Sequence, residues 1–159
     1  RFESEDMLYK FGGMSLKYAL ILISIVVIIY VNFPEDDKQE RRLEEICTAR
    51  VTQMISDGKI ATTADKVMWL NVKEIVKHNN KNYVMCSLEV NDGAINHYQV
   101  TFVFDEFLEN MQGIISGGEK YSPKSKYPFH FSALGYDPRN GGTVLELSDD
   151  GTKYNFVTP

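Results

Sequence analysis

Tyr83-Val-Met-Cys-Ser-Leu-Glu-Val90, then Asn91-Asp92-Gly93-Ala94, then Ile95-Asn-His-Tyr-Gln-Val-Thr-Phe-Val-Phe104 is the stretch that decides the fold. Val84, Cys86, Leu88 and Val90 fall on one side of an extended chain, because successive side chains of a strand point to opposite faces. Tyr98, Val100, Phe102 and Phe104 do the same in the second run. Asn-Asp-Gly between them is a strong hairpin signal, since such turns need residues that tolerate positive φ. Upstream, Val67-Met68-Trp69-Leu70-Asn71-Val72 leads into Glu74-Ile75-Val76, and the polar stretch His78–Asn82 reads as a turn. The three runs predict an antiparallel meander.

Downstream, Asp105-Glu106 is expected to open a short helix with Phe107, Leu108, Met111, Ile114 and Ile115 as its apolar side, ended by Ser116-Gly117-Gly118. Glu119 to Lys126 is polar, carries Pro123 and reads as loop. Phe129 to Leu134 predicts a further strand, and Thr143–Leu147 with Lys153–Val157 a last hairpin around Asp149-Asp150-Gly151.

Upstream of the sheet, Pro34-Glu35-Asp36-Asp37 is a helix start with acids at the positive end of the dipole. Leu43, Ile46, Cys47, Val51, Met54 and Ile55 then recur at helical spacing, and Gly58 supplies a stop. This amphipathic helix, residues 35–60, has two readings. Its stripe packs on the sheet, or Leu43, Ile46 and Val51 pair subunits through a short coiled-coil stalk. Trp69, the one tryptophan, is more often core in such a strand; exposed, it is an interface anchor.

Tyr18 to Phe33 carries no charge, and aliphatic residues fill its middle. Sixteen residues of helix span roughly 24 Å, against a bilayer core of about 30 Å. Residues just before it can extend the span, with Lys17 snorkelling outward, and Tyr18, Tyr30 and Phe33 suit the interfaces. A small chain has little room to wrap a helix that is apolar all round. No Ala-x-Ala cleavage pattern follows, as a signal peptide would have. The reading is a tail (1–16), a transmembrane anchor (17–34), the amphipathic helix (35–60) and an α+β domain (61–159). The sequence opens at Arg1 rather than Met, as a processed or trimmed product would. Lys17 abutting the anchor, and three acids after it, place the N-terminus inside and the domain outside the cytoplasm, in a periplasm, extracellular space or organellar lumen.

Hydrophobic residues make up 43% of the chain and charged residues 25%, with a formal net charge of −5. That acidic balance argues against nucleic acid, whose recognition needs clustered cations. Cys47 and Cys86 belong to no metal-ligand spacing. They read either as two small buried hydrophobes or as a disulfide in a periplasmic or lumenal setting. His78, His97 and His130 lie in different segments with no HxH or HExxH spacing. No nucleophile elbow, phosphate loop or calcium loop is present. No cofactor, metal or catalytic residue is therefore assigned.

A helix followed by antiparallel strands is an α+β domain. In element order it resembles the cystatin and nuclear-transport-factor-like folds, in which a curved sheet wraps a helix. With an anchor, it resembles the inner-membrane assembly factors of bacterial type IV secretion and conjugation machines. The expected function is that of a non-catalytic, single-pass subunit of a membrane assembly, in a secretion machine or as an accessory subunit of a respiratory complex. Its partners would be membrane lipid and other membrane-protein subunits, with self-association into a homo-oligomer compatible with the stripe. The alternative is a membrane-anchored envelope protein that binds a small ligand, or inhibits, through its concave sheet.

Overall fold

The computed structural model describes residues 16–29, 35–115 and 126–158. The chain divides into two compact units, Arg1–Gln39 and Glu40–Pro159. In the first, residues 16–29 form a helix, α1. Among the described residues, no helix is long and apolar enough to cross a membrane. The remainder of the expected anchor, residues 30–34, lies outside the described residues, as do residues 1–15 of the expected tail and residues 116–125, where the expected helix stop at 116–118 and most of the expected loop at 119–126 fall. The polar side chain of Ser24 donates its hydroxyl to the Leu20 carbonyl at 2.7 Å, so it is satisfied within α1 itself.

α2 runs over Glu35–Ser56, and three acids occupy its first turn. Gly58 at φ 66° ends it, with the amides of Gly58 and Lys59 donating back to Ile55 and Met54. Leu43, Cys47, Val51 and Met54 are buried against one face of a six-stranded antiparallel sheet in the order β1-β2-β3-β4-β5-β6. The strands are β1 Val67–His78, β2 Lys81–Asn91, β3 Ile95–Phe104, β4 Met111–Ile115, β5 Val144–Ser148 and β6 Tyr154–Val157. The α+β class and the central meander are as expected. The apolar row of β2 (Val84, Cys86, Leu88, Val90) and that of β3 (Val100, Phe102, Phe104) face α2 and are almost wholly buried. The stripe of α2 thus packs on its own sheet.

The expected helix from Asp105 is not formed. Asp105 instead folds its carboxylate back onto the amides of Glu109 and Asn110 and the Asn110 side chain, and Leu108 takes φ 57°. This closes a turn, and residues 111–115 pair with β3 as β4. Helical spacing in so short an apolar run is indistinguishable from a buried strand. The expected strand at 129–134 makes only isolated bridges, Ile60 with Phe129 and Gln99 with Ser132.

The second face of the sheet is covered as well. Val76, Tyr83, Val103, Ile115 and Tyr136 form a second cluster there. The chain around 135–140 crosses this face: Thr101 donates its hydroxyl to the Tyr136 carbonyl at 2.7 Å, and Arg139 makes two bonds to Glu74 at 2.7 and 2.8 Å. Glu146 on β5 lies over Gly113 on β4, where a Cβ would collide with the carboxylate. A side chain at 113 would have to displace the Glu146 carboxylate from that space.

A Trp–Glu–His patch and a groove beside the helix

Two β-bulges in β1 set up the candidate site. Val67 pairs with Val90, yet Trp69 pairs with Glu89, so Met68 is an extra residue. Unbulged pairing would set Trp69 opposite Leu88, on the core face. The bulge turns it to the other face instead, which corrects the sequence preference for a core tryptophan; Trp69 remains 36% exposed. The second bulge, between Val72 and Glu74, brings Glu74 to the same outer face, where Arg139 meets it.

Across the sheet, Trp69, Glu89 and His97 stand in one row. The Glu89 Oε2 accepts the indole N–H of Trp69 at 2.8 Å and lies 3.3 Å from Nδ1 of His97. The two rings are 5.8 Å apart and inclined at 48°. Glu89 itself is buried, whereas His97 is largely exposed. A carboxylate on Nδ1 orients an imidazole and leaves Nε2 free. In the next row Ser87 donates its hydroxyl to Gln99 at 2.9 Å. The Trp69–Glu89–His97 row therefore presents a partly exposed indole and a largely exposed imidazole, both held by the buried Glu89 carboxyl. Exposed Ile95, two residues before His97 on the same strand, and exposed Met68, beside Trp69 in β1, add apolar area.

The other residues singled out from sequence separate. Leu43 and Val51 are sealed in the core, unavailable to an outside partner while the domain is folded. Ile46 is half-buried and lines a shallow groove of about 330 Å³ with Ala49, Arg50, Gln53 and Met111. Arg50 pairs with Asp149 at 2.8 Å at this end of the helix. His78 sits beside the β1–β2 turn, at the opposite end of the β1–β2 pair from the turn near His97. Cys47 and Cys86 are free thiols, both buried. The Cys86 thiol is pushed well up by its hydrogen bond with Cys47, then by burial. Among the described residues no group of three or more His, Cys, Asp or Glu side chains could hold a metal ion.

A second polar cluster lies under the crossing chain. Burial raises the Glu146 carboxyl, with Lys81 opposing the rise. Burial and then Glu146 raise Tyr83, and burial, Tyr83 and Asp137 push Tyr136 up to about 12. Glu146 Oε2 and the Tyr136 hydroxyl have no hydrogen-bond partner among the described residues.

Sequence reasoning missed the Glu89–His97 pairing, although a signal existed. The two residues are equidistant from Gly93 in the hairpin, and a three-residue loop makes them cross-strand partners. No family model, no curated protein and no solved structure matches this chain.

Proposed function

We propose that this protein is a non-catalytic, single-pass membrane-anchored subunit of a larger membrane assembly, which it contacts through the Trp69–His97 face of its domain. The observation that carries the anchor is α1. From Leu16 to Ile29 its large apolar side chains are 46–64% exposed. A helix apolar on every side needs lipid or protein around it. Its 14 described residues cover roughly 21 Å of a core about 30 Å thick, and the sequence stays uncharged through Phe33. The contact reading is supported by Trp69, an aromatic pinned through its N–H and open on its face, in a row flanked by exposed aliphatic residues. Such residues dominate interface energetics. The alternative, a small ligand held between helix and sheet, would need space that Leu43, Cys47, Val51, Leu88 and Phe102 fill.

The test is alkaline carbonate extraction of the full chain, followed by co-purification in mild detergent. The chain should stay with the membrane pellet and bring down other membrane proteins. Trp69→Ala should keep it in the pellet and lose those partners. Release by carbonate would refute the anchor, and unchanged partners would refute the contact face.

A further inference from the structure

Cys47 and Cys86 are far apart in the chain, on α2 and on a central strand, and both are buried in the same core. A bond between helix and sheet holds them together independently of the thiols. Glu44 Oε1 accepts the amide of Val72 at 3.0 Å, and Val72 is the cross-strand partner of Cys86. Cys47 follows Glu44 by three residues, and so lies one turn further along the same side of the helix. That docks the Cys47 side of α2 over the strand position of Cys86. Both thiols belong to one buried core cluster, and the Cys86 thiol donates to the Val84 carbonyl at 3.8 Å; Cys47 is the foremost influence that pushes the Cys86 thiol up.

We propose that Cys47 and Cys86 are a disulfide-forming pair that staples α2 to the sheet. In the reaction the two thiols lose two protons and two electrons, and one S–S bond forms. The electrons pass to an oxidised dithiol or a small disulfide, which is reduced to two thiols. One cysteine, as thiolate, attacks that carrier, and the other displaces the carrier thiol from the mixed disulfide. Folding then buries the bond, away from solvent reductants. In the folded, reduced chain neither thiol is exposed, so exchange takes place while the chain folds. The inference concerns this pair alone and stands apart from the membrane reading.

The full chain, in mild detergent, is unfolded with reductant and refolded in a mixture of oxidised and reduced glutathione. It is then denatured, treated with maleimide and weighed. The expected product is monomeric, about two daltons lighter, carries no maleimide, and gives a Cys47–Cys86 linked peptide. Refolding in dithiothreitol in place of the glutathione mixture should leave two maleimide sites and lower Tm by on the order of 10 °C. In Cys86→Ser, Cys47 should take one maleimide. Two maleimides on the refolded wild type, a glutathione adduct at each cysteine, or a bond only between two chains would overturn the proposal. The wild-type mass decides, so a variant that misfolds leaves the test intact.

Discussion

Glu146 is the side chain whose surroundings fit its charge least. It is buried on β5, one of its oxygens has no partner among the described residues, and burial holds its carboxyl above the ordinary range despite Lys81. A carboxyl with a raised folded-state pKa contributes stability below its unfolded pKa and loses it as pH climbs through the folded value. Replacing it with the neutral isostere removes that loss. Glu146→Gln should therefore melt above the parent at pH 7, and the gap should shrink towards pH 4, where the parent is protonated too. Thermal melts of both proteins across that range check it; a gap that widens on acidification would show that Glu146 is not the group responsible. The Trp69 result belongs to the same scale. One extra residue, Met68, decides whether that indole is core or surface. No property of Trp69 itself carries that information.

Among the elements, β1 carries the greatest exposure to misuse, because it is an edge strand of 12 residues. Open edges invite pairing with other chains. Here two bulges break its flatness, and Glu44 of α2 takes up the Val72 amide. Glu44→Ala should free that amide, at a cost of about 1 kcal/mol, and hydrogen exchange should quicken at Val72 more than at central β2. Unchanged protection at Val72 would mean that the helix does not guard the edge. β2 shows the complementary case. Its alternation reads in sequence as one buried face. Yet Tyr83, Ser87 and Glu89 are buried on the other, because neighbouring strands and the chain around 135–140 cover that side.

At the scale of the whole molecule, the prediction concerns the anchor. If α1 lies in lipid, Ile25→Arg places a charge near the centre of the run, at a cost of about 2.5–3.5 kcal/mol for insertion. The variant should shift from the carbonate-resistant pellet to the soluble fraction, while the domain keeps its circular dichroism signature. Retention in the pellet would argue that something other than the helix holds the chain. Much of the architecture was legible from the sequence. Period-two alternation with Asn-Asp-Gly marked β2 and β3, acids before an apolar stripe marked α2, and the uncharged run marked α1. These are local patterns, and a local pattern is readable because its period follows from backbone geometry. Three features were not legible. Residues 111–115 form a strand because β3 offers them a partner, Trp69 faces outward because a bulge shifts the register, and Glu89 meets both Trp69 and His97 because three strands align. Each depends on which strand lies beside which, and pairing between distant segments is decided only when the whole chain closes around its core.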